Sequence, residues 1–202
     1  NMTNFLTKEL NFFVQSSKDS YITKDEWEVL KADKEYNIRG RKVYIGLDLS
    51  RTDDITAVSW VIPIEEEGKF LIDTHGFVSS KGGIDRKIQN DKIPYRQYES
   101  MGLIDISTLE TGLVDIQFMV DWLVNFVYEY DLEVIGVYYD PVMINTVLSD
   151  LNNTFYDKLI EVPQRINYLS APTRTLREMI RKGDIIHTGN PLLTRAMYNA
   201  VL

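Results

Sequence analysis

Apolar residues come in short, closely spaced runs over residues 42–78. They then recur at three- and four-residue intervals over 115–130, so the chain changes from a strand-like to a helix-like period. Lys42–Leu49 predicts a strand, bounded by the turn-forming set Arg51, Thr52, Asp53 and Asp54. Ile55–Ile64 and Phe70–Val78 predict two more, joined through Glu65, Glu66, Glu67, Gly68 and Lys69, and such short connections favour an antiparallel meander. Asp115–Tyr130 predicts a helix with Ile116, Met119, Val120, Leu123 and Val127 on one buried stripe. Val134–Tyr139 is a strand-length run ending at Asp140 and Pro141, where a proline cannot continue the ladder.

Weaker signals complete the outline. Thr23 and Glu26 have capping-box spacing, predicting a short helix through Trp27, Val29 and Leu30, followed by a polar connector from Lys31 to Arg41. The apolar run Asn11–Val14 precedes a turn-like cluster at 16–20, and Arg86–Met101 is partly helical with Pro94 near a helix start. Asn145–Leu151 and Thr173–Arg181 predict helices, the latter closed by Gly183; Leu159–Val162 and Ile185–His187 predict brief strands, and Pro191–Leu202 a last helix. The order is that of an α/β domain with a mixed sheet, in which the long helix returns the chain so that the Val134 strand lies parallel to the first.

Composition narrows the chemistry. With no cysteine and only His75 and His187, any metal must rest on oxygen, which favours hard ions such as Mg²⁺ or Mn²⁺. No apolar stretch reaches the roughly 20 residues of a membrane span, and residues 1–9 lack a signal-peptide pattern, so an intracellular protein is expected. Asn1 ahead of Met2 reads as an excised fragment. The net charge of −8 gives no generic support for nucleic-acid binding, although a carboxylate-rich metal site coexists readily with local basic patches.

Asp48 and Asp140 each end an apolar strand, where ligands of open sheets collect. On neighbouring strands about 4.8 Å apart, two carboxylates repel unless a cation joins them. Two ions roughly 3.5–4 Å apart then suit phosphodiester hydrolysis. Asp54, across the turn, suits an accessory acid, and Asp53 a turn residue. The same aspartates also suit turns or helix caps, and spacing alone does not choose.

Ile45–Ser50 followed by Asp54–Ala57 resembles the nuclease domain of tailed-phage terminase large subunits, and further segments continue the likeness in order. They are Asp91–Tyr95, Gly102 and Leu103, Thr111–Asp115, Tyr139–Pro141, then Pro172, Leu176 and Ile180, and finally His187–Pro191; Phe5–Asn11 resembles the connector from the packaging ATPase. The resemblance implies an RNase H-like fold over 42–202, with 1–41 as connector from an N-terminal ATPase domain lying outside this sequence. It implies a site of Asp48, Asp54 and Asp140, with Asp48 and Asp140 holding Mg²⁺ or Mn²⁺. It also implies cutting of concatemeric double-stranded viral DNA, portal protein and small terminase subunit as partners, and work in the host cytoplasm at the procapsid portal. The family's third metal-binding acid follows the Asn190-Pro191 segment and its helix, so it is expected beyond Leu202 and the site within 1–202 is expected to be incomplete.

Arg174, Arg177 and Arg181 share one helix face, suited to DNA phosphates or to a solvated basic surface. Tyr95, Tyr98, Trp122 and Phe126 read as packing aromatics, and neither histidine is given a catalytic role. Without a P-loop, the fragment carries no motor. An actin-like or sugar-kinase nucleotide fold is the enzymatic rival, but Leu49, Ser50 and Arg51 follow Asp48 where a phosphate hairpin needs glycine; a docking module for portal or small subunit is the non-enzymatic one.

Overall fold

Val43, Ile45 and Leu47 leave the first strand on one face and are buried, while Tyr44, Gly46 and Asp48 leave on the other and stay partly open. That alternation sets up a sheet covered differently on its two sides. The computed structural model describes residues 20–50, 54–141 and 148–201. The elements are α1 (Lys24–Glu28), β1 (Lys42–Asp48), β2 (Thr56–Ile64), β3 (Lys69–Val78), α2 (Ile84–Asp91), α3 (Tyr95–Ser100) and β4 (Ile104–Ile106). They continue with α4 (Ile116–Glu129), β5 (Glu133–Tyr139), α5 (Leu148–Phe155), β6 (Leu159–Glu161), α6 (Ile166–Lys182), β7 (Ile185–His187) and α7 (Pro191–Asn199).

The strands form one mixed sheet in the order β4-β3-β2-β1-β5-β6, with β7 also paired to β3. The meander β1-β2-β3 is antiparallel, and β5 lies parallel to β1 as the long-helix connection requires. Strands β4 and β7 both run parallel to β3, β7 beside Phe70–Ile72 and β4 beside Gly76–Val78, so two short strands share one edge. Strands β1, β3, β4 and β5 therefore end at one rim of the sheet, which gathers Asp48, Val78, Ile106 and Tyr139.

One face packs on α4. Met119, Val120 and Leu123 are buried against Val43, Ile45, Leu47 and Val58, with Ile116 and Val127 half-buried beside them. The side chain of Asp115 caps this helix by accepting from Phe118 N–H at 3.0 Å. Trp122 stacks on Phe126 and on His75, at 5.3 and 4.3 Å between ring centres, which makes these aromatics part of the packing. On the other face α6 and α1 bury Tyr21, Ile22, Trp27 and Leu30 with Ile180 and Ile185. The expected capping box is formed: Glu26 N–H donates to Thr23 Oγ1 at 3.2 Å and Thr23 N–H to Glu26 Oε2 at 2.8 Å.

Three expectations change. The three-residue strand β4 has no sequence signal of its own, and it forms because Gly76 N–H donates to Leu103 O and Ser107 N–H to Val78 O. Helix α6 begins at Ile166, seven residues before the expected Thr173, and runs through Pro172. The proline frees the carbonyl of Tyr168, four residues earlier, and because Tyr168 is itself exposed, water can satisfy it. The last helix stops at Asn199, since Ala200 turns extended and accepts a hydrogen bond from Tyr21 N–H at 3.0 Å. The helix expected from Asn145 is described only from Leu148. Arg51, Thr52, Asp53 and the 11–14 run lie outside the described residues.

Both histidines are buried. His187 lies flat on Trp27, with ring centres 4.2 Å apart and planes within 9°. Its Nε2 donates to Trp27 O at 3.0 Å and its Nδ1 accepts from Gly189 N–H at 3.1 Å, a pattern that needs the neutral ring. Burial, the largest influence, lowers the pKa of His75 and of His187 below the ordinary value. The folded chain thus resists protonation that the unfolded chain accepts below about pH 6.5. The stability they contribute is complete above that value and is lost as pH falls through their lowered folded values. The melting temperature is expected to fall between pH 7.5 and 5.5, and His187→Phe to flatten that slope; an unchanged slope in the variant excludes His187 as its source.

Candidate metal site at the sheet rim

Leu47 of β1 pairs with Tyr139 of β5, so the next residues, Asp48 and Asp140, leave adjacent parallel strands at the same rim. Both follow a residue buried on the α4 face, which turns both carboxyls to the opposite face. Asp48 also pairs with Ala57 of β2, which brings the start of that strand, and Asp54 ahead of it, back beside the same position.

The return is held by Thr56. Its buried hydroxyl donates to Ser50 O at 2.6 Å and accepts from Ser50 N–H at 2.8 Å, clasping both ends of the turn between β1 and β2. Sequence reasoning quoted Thr56 in a motif but gave it no task. The signal was there: a threonine opening a strand, six residues after a serine, is placed to bridge the turn between them. Thr56→Val keeps the shape and removes the clasp. It is expected to cost about 1–3 kcal/mol and, by loosening Asp54, to slow cutting by one to two orders of magnitude. Full activity with only a stability loss in melting and plasmid-nicking assays would assign Thr56 to folding alone.

Asp48 registers its neighbours electrostatically. Its pKa is raised, first by the loss of hydration at the crowded strand end, then by the charge of Asp140, then by that of Asp54. The side chain still reaches solvent, so the crowding restricts water without excluding it. Asp48 with the two carboxylates that act on it makes an all-oxygen set of a kind suited to a hard divalent cation. Among the described residues, however, no three acidic or histidine side chains are drawn together tightly enough to hold an ion as they stand.

The other candidates lie elsewhere in the packing. Arg181 pairs with Glu26 at 2.9 Å, and the Arg177 guanidinium lies 6.0 Å from the Tyr21 ring centre, so two of the three arginines hold α6 to the α1 segment. Arg174 is exposed. His75 Nε2 lies 2.8 Å from Asp105 Oδ2 on the α4 side. The segment His187–Pro191 locks onto β3: Thr188 Oγ1 donates to Asp73 Oδ2 at 2.6 Å, Asn190 Nδ2 to Asp73 Oδ1 at 2.7 Å and to Thr74 O at 2.8 Å. That motif is structural.

Known proteins resemble this chain in sequence and in fold. The family model for "Terminase large subunit, endonuclease domain" matches residues 1–202. The terminase large subunit of Enterobacteria phage HK97 is 26% identical over 188 residues, 93% of this chain and 36% of that protein. The crystal structure of the HK97 large terminase superposes with a TM-score of 0.77 at 22% identity, over 90% of this chain and 36% of that one. The large terminase nuclease of thermophilic phage G20c, crystallised with bound magnesium, gives 0.51 at 10% identity over 91% and 82%. These structural likenesses are of fold alone, and they show that the mixed sheet with its flanking helices is shared. The chain spans 36% of the length of its HK97 relative.

Proposed function

Because the chain belongs to the terminase large subunit endonuclease domain family, we propose that it is a metal-dependent endonuclease cutting concatemeric double-stranded viral DNA during genome packaging. The observation that carries the site assignment is the register: Asp48 and Asp140 stand one step beyond the Leu47–Tyr139 pair, on adjacent strands, with Asp54 close enough to act on Asp48.

Asp48 and Asp140 hold the cation, in our reading two Mg²⁺ or Mn²⁺ ions, and the G20c nuclease with bound magnesium supports an ion of this class. When bound, such ions supply positive charge to the attacking water and to the leaving oxygen of the phosphodiester. Asp54 orients the site from the turn, and Thr56 fixes the distance between Asp54 and Asp48. Of the three α6 arginines proposed for DNA phosphates, Arg174 is assigned that role because it is exposed, while Arg177 and Arg181 are taken up by Tyr21 and Glu26. The full polypeptide is proposed to join an ATPase domain, through residues 1–41, to this nuclease over 42–202, and to work with portal protein and small terminase subunit in the host cytoplasm. No described helix is long and apolar enough to cross a membrane.

The test is nicking of supercoiled plasmid with Mn²⁺ and with chelator. Metal-dependent nicking is expected. An intact plasmid in Mn²⁺, from both this chain and a version extended beyond Leu202, removes the nuclease reading.

A further inference from the structure

Asp48 and Asp140 share the face of the sheet away from α4 with Gly46 and Tyr138, the residues two positions earlier on the same strands, which pair with each other. On β1 this face is bare backbone at Gly46. A β-carbon there meets only Ser59 O, at 4.0 Å, so the space above it is open. On β5 the equivalent position holds a large ring, yet the ring does not enter that space. A β-carbon at Gly136 lies 3.0 Å from Tyr138 Cε2 and 3.2 Å from its Cζ, which places the far end of the Tyr138 ring over Gly136, back along the strand and away from Asp140. On the outer side Ile160 of β6 pairs with Tyr138, and its Cδ1 also lies 3.0 Å from that β-carbon. With Gly136 beneath it and Ile160 on the β6 side, the ring faces β1 on its other side, where Tyr44 pairs with Gly136 and the bare Gly46 with Tyr138 itself.

Resting on the nuclease reading above, we infer that Gly46 and Gly136 are positioning residues that keep a bare strip of β1 open to the DNA backbone beside Asp48 and Asp140. Gly46 does so by having no side chain, and Gly136 by giving the Tyr138 ring a place to lie. Both groups that crowd Gly136 are far ends of flexible side chains, so a methyl group there displaces the ring more readily than it disturbs the fold. The displaced ring turns over Gly46. A strand passing this strip reaches the carboxylates edge-on, with backbone instead of side chains under its phosphates.

The experiment measures KM and kcat for Mn²⁺-dependent plasmid nicking by the full native polypeptide, duplex binding by anisotropy in Ca²⁺, and the Mn²⁺-induced rise in melting temperature. Gly46→Val and Gly136→Ala are each expected to raise KM about tenfold or more while leaving the Mn²⁺-induced rise unchanged. Tyr138→Ala alone is expected to cut normally, and combined with Gly136→Ala to restore KM. Normal KM in Gly46→Val overturns the inference, as does a double variant no better than Gly136→Ala. If the wild-type polypeptide neither nicks nor binds duplex, the nuclease reading falls and takes this inference with it; if it nicks and the variants match it, only this inference falls.

Discussion

Asp48→Asn is expected to lower plasmid cutting by at least about 10³-fold, equivalent to about 4 kcal/mol of transition-state stabilisation. It is also expected to leave the metal-free protein no less stable. The first effect follows from removing an anionic donor at the centre of the carboxylate group, where Asp140 and Asp54 act on the same point. The second follows from the sign of the titration. Asp48 is held above its usual range by lost hydration and then by its acidic neighbours, so the folded chain favours its protonated form. That contribution is complete at low pH and is lost as pH rises through the raised value, so at neutral pH the ionised Asp48 works against the fold. Asparagine removes the charge and the conflict together. Melting in chelator and in Mg²⁺ separates the two effects: wild type gains stability from the ion and Asp48→Asn gains much less. Cutting within tenfold of wild type by the variant removes Asp48 from the site.

Trp27→Ala is expected to cost about 3–5 kcal/mol, lowering the melting temperature by on the order of 10 °C for a chain of this size. Trp27 is fully buried, stacks on His187, donates from Nε1 to Thr194 Oγ1 at 3.2 Å and, through its carbonyl, accepts from His187. The ring therefore joins α1, β7 and α7, and its loss leaves a cavity and takes the donor from Thr194 Oγ1, while the backbone carbonyl that His187 donates to remains. Thermal melting measures the total. Early cleavage within residues 20–31 by limited proteolysis identifies the segment that loosens first. A loss below about 1 kcal/mol, as for a surface change, means that the neighbours close the gap.

What could be read from the sequence was what depends on local period. The meander, the α4 stripe and the Thr23 capping box each rest on neighbours a few residues apart, and each is found. The adjacency of Asp48 and Asp140 needed one further rule, that a helical connection returns a strand parallel to its predecessor, and the register agrees. Pairings between distant segments were not legible. Strand β4 is three residues whose partner lies about 28 positions away, and His187 is fixed by Trp27, 160 positions earlier. Helix α6 extends seven residues ahead of the expected start and through Pro172, whose freed carbonyl at Tyr168 lies in an exposed turn. The arginines of α6 have the right helical spacing, but spacing does not show that Glu26 and Tyr21 occupy two of them.

Ser20 bridges Val201, and Tyr21 N–H donates to Ala200 O, so the two ends of the described body lie side by side. The path of the backbone is thus nearly a closed ring. Such a unit can be spliced into a surface loop of another protein with little loop-closure entropy to overcome. A tether attached at either end hangs from the same corner, so a pull along both at once loads one short bridge instead of stretching the sheet.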